Sequence, residues 1–190
     1  MTNGNIKIED NFLAQEIFDK IQERLVATDT SDFPWYFRYK YYELDNAGKP
    51  FHKTDPIGDG NELDSCQFTH TFYESGTLYS SHLQNLNMLL DLLDPMSIWR
   101  ITANLLTRVP TLVENGFHVD IAYLSEEKLK HWTTSIFYVN TNDGYTKFED
   151  GTQVESVANR MLTFPANMRH TGTSCTDQQT RVVINFNYFK

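Results

Sequence analysis

His118, Asp120, His170 and Arg181 are the side chains of this sequence best suited to chemistry. They stand in the order Phe117-His118-Val119-Asp120, then His170, then Arg181 near the end. His-x-Asp with a distant second His offers two imidazoles and one carboxylate. Such a set holds a borderline divalent ion on one side and leaves coordination positions open. Fe(II), Mn(II), Co(II) and Zn(II) all suit it, and zinc hydrolases also use three protein ligands beside an open position. Arg181 narrows the reading. It begins the apolar alternating run Arg181-Val182-Val183-Ile184-Asn185-Phe186-Asn187-Tyr188-Phe189, in which Arg181, Val183, Asn185 and Asn187 share one face of a strand. An Arg on an inward face needs an anion there, and a guanidinium grips a carboxylate through two parallel hydrogen bonds.

These residues need elements that bring them together. Residues 116–121, read as a strand, put His118 and Asp120 on one face and Phe117, Val119 and Ile121 on the other. The second His must come from a strand adjacent in space, and Phe164-Pro165-Ala166-Asn167-Met168-Arg169-His170 reads as a strand, a turn and a return. Further β-rich runs cover residues 99–107, 132–141, 145–148, 160–164 and 180–189, separated by turn signals such as Asn142-Asp143-Gly144 and Asp150-Gly151. Many short strands with regular turns predict a sandwich or barrel. Ahead of them, residues 11–27 carry Phe12, Leu13, Ile17, Phe18, Ile21 and Leu25 at helical spacing, with Asp10 or Asn11 as the expected N-cap. Residues 80–93 predict a second amphipathic helix, with Leu83, Leu86, Leu89, Leu90 and Leu93 inward and Pro95 closing it. The aromatic stretch 33–42 reads as extended, and the Gly- and acid-rich residues 45–64 as a long loop. That loop and residues 111–115 flank the expected mouth of the β-core as candidate lids. The expectation is one domain over residues 1–190, with 1–98 as helical and extended support and 99–190 as the metal-binding β-core.

Composition sets outer bounds. A chain of 190 residues with 40% apolar and 14% aromatic content can bury a sizeable core. Its formal charge of −9, with no Lys/Arg run, argues against nucleic acid as a partner. Cys66 and Cys175 belong to no CxxC or Cys/His cluster and read as free thiols in a reducing compartment. No apolar stretch reaches the ~18 residues of a transmembrane helix, and the N-terminus lacks a secretory apolar region. The expected setting is cytoplasmic, without membrane partners. His52, His70, His82 and His131 lack partner spacing and read as surface or satisfied core residues. Arg100 and Arg169 read as solvated charges, and Glu149-Asp150 as an acidic pair at a hairpin end.

Four features taken in order resemble the Fe(II)- and 2-oxoglutarate-dependent dioxygenases, most closely the prolyl-4-hydroxylase-like branch with its small phage-type oxygenases. They are His118-Val119-Asp120; Ile136-Phe137-Tyr138-Val139-Asn140; Gly144-Tyr145-Thr146-Lys147-Phe148; and His170 followed by Arg181. The resemblance covers roughly residues 100–190. It implies a mainly β fold with flanking α-helices, the double-stranded β-helix or cupin-like jelly roll. It implies that His118, Asp120 and His170 hold Fe(II), that 2-oxoglutarate chelates the metal and that Arg181 pairs with its distal carboxylate. Tyr138 matches the tyrosine that supports that carboxylate. Asn185 matches a small polar residue near the co-substrate, and Asn104 is assigned to the co-substrate's other end. The implied reaction consumes O₂ and 2-oxoglutarate, releases succinate and CO₂ and hydroxylates a C–H bond, with ascorbate supporting turnover in vitro. The substrate class implied is a peptide or protein side chain. A small metabolite, free amino acid or nucleobase stays open, as does a non-catalytic cupin-like metal-binding module. Two positions depart from the prolyl hydroxylases: Asp143-Gly144 stands where Gly-Gly is usual, and Arg181 where animal collagen-type members carry Lys.

Overall fold

A computed structural model describes residues 6–26, 33–38, 66–121 and 124–190. The expected loop 45–64, residues 39–42 of the aromatic stretch and His52 lie outside the described residues.

The strands and helices, in chain order, are β1 (Lys7–Glu9), α1 (Gln15–Val26), β2 (Tyr36–Arg38), β3 (Gln67–Glu74), β4 (Thr77–Leu78), α2 (Asn87–Leu93), β5 (Ser97–Thr107), α3 (Glu126–Leu129), β6 (Trp132–Tyr138), β7 (Tyr145–Phe148), β8 (Gln153–Glu155), β9 (Arg160–Pro165), β10 (His170–Gly172) and β11 (Thr180–Phe189). The large sheet runs β1-β9-β6-β11-β5-β3-β2, with β4 folded back on β3, and the small sheet runs β10-β7-β8. Every pairing between these strands is antiparallel.

A fourth row of the small sheet is irregular. Residues 114–118 run beside β10, with Glu114 opposite Thr173 and His118 opposite His170. The His118 and His170 backbones exchange hydrogen bonds of 2.9 and 3.0 Å. From β5 onward the chain therefore visits the large sheet, this irregular row, β6 in the large sheet, β7 and β8 in the small one, β9, β10 and β11. That is the winding of a double-stranded β-helix. The predicted strand over residues 116–121 is corrected here: pairing ends at His118, and Asp120 sits in a bend. Leaving the ladder allows the Asp120 carboxylate to turn to where the two imidazoles meet.

Alternation along β11 divides two cores. Val182, Ile184 and Phe186 face out of the barrel, where they pack with Phe18, Ile21 and Leu25 of α1 and Leu89 and Leu93 of α2. Val183 faces inward with Ile136, Tyr138, Phe148, Val154, Leu162 and Phe164. Burying such side chains contributes about 1.5–3 kcal/mol each, so both layers favour this register. A one-residue slip of β11 would bury Arg181 among the helices and turn Ile184 toward the site.

The helices differ in detail from the pattern. α1 starts at Gln15, not behind a cap at Asp10 or Asn11. Asp10 pairs with Arg160 (Nε–Oδ1 2.5 Å), and Asn11 adopts a left-handed φ of 52°. The approach to the helix is held from the β-core: Asn159 Oδ1 accepts from Leu13 N at 2.9 Å, and its Nδ2 donates to Leu13 O at 2.8 Å. The predicted helix over 80–93 divides into a 3₁₀ segment, Ser81–Leu86, and α2. Ser80 Oγ caps the first by accepting from His82 N at 3.2 Å. Asp94 ends the second at φ 48° just before Pro95. Cys66 is exposed, Cys175 is buried, and both are free thiols. Among the described residues no helix is long and apolar enough to cross a membrane.

Candidate metal centre

The irregular row and β10 place two histidines side by side. The His118 and His170 ring centroids are 4.9 Å apart. Asp120 Oδ1 lies 3.6 Å from His118 Nε2 and 3.8 Å from His170 Nε2. One ligand atom from each of the three residues falls within 4.8 Å of the others, and among the described residues this is the one His/Cys/Asp/Glu cluster of three or more arranged so. Both imidazoles are oriented in the same way. His118 Nδ1 is 3.0 Å from Gly116 O, and His170 Nδ1 is 3.2 Å from Met168 O. A carbonyl only accepts, so each Nδ1 carries a proton and each Nε2 is the atom left to face Asp120 and an ion. Once His118 gives up any proton on Nε2, two imidazole lone pairs and a carboxylate converge in a way that suits a divalent transition ion.

The surroundings fix these three groups. Asp120 is buried, and its Oδ2 accepts from Asn187 Nδ2 at 2.8 Å, while Asn187 Nδ2 also reaches Thr134 Oγ1 at 3.1 Å. Arg100 Nη2 donates to the Asp120 main-chain oxygen at 3.0 Å, so Arg100 is not the solvated charge that the sequence suggested. Phe164 lies edge-on to His170 at 4.8 Å, with Phe148 at 6.2 Å. Burial pushes His170 down to about 4, against the pull of Asp120, so its ring is neutral at pH 7. Burial alone would raise the Asp120 carboxyl. The His118 hydrogen bond and the charges of His170, His118 and Arg100 outweigh it and hold Asp120 well below the usual carboxylate range. Burial also opposes charge on His118, yet the Asp120 hydrogen bond and charge raise it above its ordinary value.

Arg181 is 2% exposed at the start of β11. Its Nε donates to Ser156 Oγ at 2.9 Å, and its Nη2 makes longer contacts of 3.4 Å to Tyr145 O and Thr146 Oγ1. The guanidinium lies 5.8 Å from the centroid of the Tyr138 ring. Two glycines give it room. A Cβ on Gly172 would stand 3.4 Å from Arg181 Nη1, and one on Gly144 would meet Ser174 O at 2.6 Å and Arg181 Cδ at 2.7 Å. Gly144 of the departing Asp143-Gly144 pair is thus the position that backbone approach demands. Asp143 braces the neighbouring turn, accepting from Thr176 N at 2.7 Å.

A cavity of about 70 Å³ is lined by His118 and His170 at one part and by Arg181, Thr146 and Gly172 at another. Asn104 and Asn185 line it too. A cavity of about 250 Å³ shares Leu106 and Asn115 with it. Tyr138 sits behind Thr146: it is fully buried and its hydroxyl donates to Thr146 Oγ1 at 2.7 Å. Thr146, Ser156, Arg100 and Asn187 carry site contacts that sequence reasoning did not assign. Asn187 was signalled by sharing a strand face with Arg181, and Thr146 by standing in the Gly144-Tyr145-Thr146-Lys147-Phe148 stretch. Residues 113–115 are stitched to β10 and the stretch after it, Val113 exchanging bonds with Ser174 and Asn115 N donating to Gly172 O at 3.1 Å. That leaves little of the expected lid at 111–115 free of the sheet. Of the remaining candidates, His70 and His82 pack around Phe33, His131 is exposed, and Arg169 pairs with Glu149 at 2.6 Å.

No family model and no curated protein matches the sequence. Solved structures do match the fold. A 2OG-Fe(II) oxygenase family oxidoreductase from Burkholderia pseudomallei superposes with a TM-score of 0.60 at 10% identity, over 97% of this chain and 85% of that one. A prolyl hydroxylase from Trichoplax adhaerens, in complex with a hypoxia inducible factor peptide fragment, gives 0.59 at 12% identity over 99% and 84%. A viral collagen prolyl hydroxylase from Paramecium Bursaria Chlorella virus-1, in a 2OG complex, gives 0.54 at 11% identity over 97% and 96%. The chain has the double-stranded β-helix fold of the prolyl hydroxylases and other 2OG-Fe(II) oxygenases.

Proposed function

We propose that this chain is a single-unit Fe(II)- and 2-oxoglutarate-dependent dioxygenase that hydroxylates a C–H bond of a peptide or protein side chain. The observation that carries the reading is the convergence of His118, Asp120 and His170 within 4.8 Å, beside a cavity whose wall includes the buried Arg181. The donor set fits Fe(II), and the fold is that of enzymes using it. A peptide as substrate takes its support from the Trichoplax prolyl hydroxylase, which holds a peptide fragment.

His118 Nε2, His170 Nε2 and Asp120 Oδ1 would hold the metal. Bound there, Fe(II) supplies activation of O₂, one oxygen atom ending in succinate and the other in the substrate hydroxyl while 2-oxoglutarate loses CO₂. The protein's part is placement. Arg181 offers a fixed cation to the distal carboxylate, and Thr146, held by Tyr138, offers a hydroxyl beside it. Asn104 and Asn185 flank the rest of the cavity. Phe148 and Phe164 keep water from the His170 ring, and no protein general base is required.

The test uses the purified chain with Fe(II), ascorbate and 2-oxoglutarate. Slow succinate formation is expected without any added substrate, along with a higher melting point when Mn(II) and N-oxalylglycine are present together. His118→Ala should abolish both responses. Arg181→Ala should keep the metal and lose most of the N-oxalylglycine shift. A wild-type protein that responds to neither ligand refutes the reading.

A further inference from the structure

We infer that Gln67, at the start of β3, binds the co-substrate directly, donating a hydrogen bond to the same distal carboxylate that Arg181 pairs with. The inference rests on the dioxygenase reading and goes beyond it, because it brings a residue of the stretch 1–98, read from the sequence as support, into the site. Register places it there. Leu106 of β5 lies opposite Arg181 in the β11–β5 ladder. Phe68 lies opposite Leu105 in the β5–β3 ladder, so Gln67 falls opposite Leu106. Directly opposed residues of antiparallel strands share a face. Gln67, Leu106 and Arg181 thus form one cross-strand row, and all three line the cavity that His118 and His170 also line.

Position along β11 tells which end of the cavity this row serves. Asn187, which holds Asp120, marks the metal end. Val183 and Asn185 are the inward positions between it and Arg181, opposite Asn104 and Thr102. The Arg181 row is therefore the end away from the metal, where the distal carboxylate of the co-substrate belongs. Gln67 is 8% exposed, and its Oε1 is buried without a hydrogen-bond partner. An unmatched buried polar atom costs free energy unless a ligand answers it. A carboxamide carries an oxygen on one side and an NH2 on the other, and half a turn about its last bond exchanges them. The NH2, so turned, faces the cavity as a donor. A buried carboxylate has about four lone-pair positions to satisfy. Arg181 and Thr146, in contact with each other, answer it from β11 and β7. Across the large sheet the row continues with Leu106, which is apolar, and then Gln67, which alone in it supplies a further donor.

The experiment titrates the Mn(II)-loaded chain with two probes by calorimetry. N-Oxalylglycine carries the distal carboxylate, whereas oxalate chelates a metal and has no distal arm. Gln67→Leu should lose about tenfold in affinity for N-oxalylglycine, the worth of one hydrogen bond to a charged group. It should bind oxalate as the wild type does. Gln67→Glu, nearly isosteric, sets a like charge beside the distal carboxylate and should lose more, again with oxalate binding unchanged. The Glu variant carries the comparison alone if the Leu variant does not fold. N-Oxalylglycine affinities equal to that of the wild type overturn the inference. So does a parallel loss of oxalate binding, which would give Gln67 a role in folding or at the metal. A wild type that does not bind N-oxalylglycine overturns the dioxygenase reading and this inference together, so the two failures are distinguishable.

Discussion

Asn187 and Asp120, 67 residues apart, are joined by a buried hydrogen bond of 2.8 Å from the Asn187 amide to Asp120 Oδ2. The bond occupies one carboxylate oxygen and leaves the other, Oδ1, turned toward both imidazoles. A strand of the large sheet thereby sets the angle of a ligand that sits in a bend outside any ladder. Such outer partners tune metal affinity by roughly 10–100-fold. Asn187→Ala should weaken Mn(II) binding by that factor, read by calorimetric titration, with the circular dichroism of the fold retained. An affinity equal to the wild type would show that the bend alone orients Asp120.

Gly144 and Gly172 give the second expectation. A methyl at Gly144 would lie 2.7 Å from the Arg181 side chain and 2.6 Å from a backbone oxygen. The backbone at this turn and the Arg181 side chain must both shift to make room. Gly144→Ala should raise the apparent KM for 2-oxoglutarate by about tenfold or more while Mn(II) affinity holds. Gly172→Ala, at 3.4 Å from Nη1, should have a smaller effect of the same kind. Unchanged KM values in both variants would remove Arg181 from the co-substrate's site.

Much of this was legible in the sequence because it depends on local pattern. Apolar runs bounded by turn signals gave β7 and β11 their full extent, Tyr145–Phe148 and Thr180–Phe189, and the spacing of His118, Asp120 and His170 pointed to the cluster they form. What escaped depends on partners remote in the chain. No local pattern can tell that Asn159, 146 residues beyond Leu13, holds the approach to α1 in place of Asp10 or Asn11. Nor can alternation tell that pairing stops at His118, because the pull that bends the chain toward Asp120 comes from Asn187 and Arg100, each fixed by its cross-strand register. Arg100 read as a surface charge for the same reason.

Stability against pH should report the cluster that pins residues 113–115. Glu114 accepts from the Tyr145 hydroxyl at 2.6 Å and from Lys147 Nζ at 3.0 Å. The Tyr145 hydrogen bond is the larger cause holding the Glu114 carboxyl below its ordinary 4.5. A carboxyl lowered in the fold stabilises above that ordinary value and loses the contribution as pH falls through the lowered one. Tyr145 is the mirror case. The same bond pushes it up to about 12 from an ordinary 10.0, so its contribution is complete below 10 and is lost as pH rises from there to about 12. Glu114→Gln should therefore flatten both the acid and the alkaline edges of the urea-midpoint profile and cost about 1 kcal/mol at neutral pH. Profiles that superpose at both edges would show that the cluster contributes nothing to folding.

The clamp on α1 yields the last expectation. Asn159 is buried at a left-handed φ of 61°, and its amide makes two hydrogen bonds to the Leu13 backbone, at 2.9 and 2.8 Å. It ties the chain just ahead of α1 to the β-core. Asn is tolerated in that backbone conformation better than most residues. Asn159→Ala should remove both bonds and add strain at once. Asn159→Gly should remove the bonds and relieve the strain. A cost of about 1 kcal/mol per lost hydrogen bond puts both below the wild type, with Ala lower than Gly by about 1 kcal/mol for the left-handed φ. Urea unfolding of the three proteins reads the order directly. If Gly equals the wild type, the clamp adds nothing and apolar packing alone seats α1. If Gly falls and Ala falls further, Asn159 ties the helical layer to the turn that leads into β9, and through β9 and β6 to the sheet that carries Asn187 and Arg181.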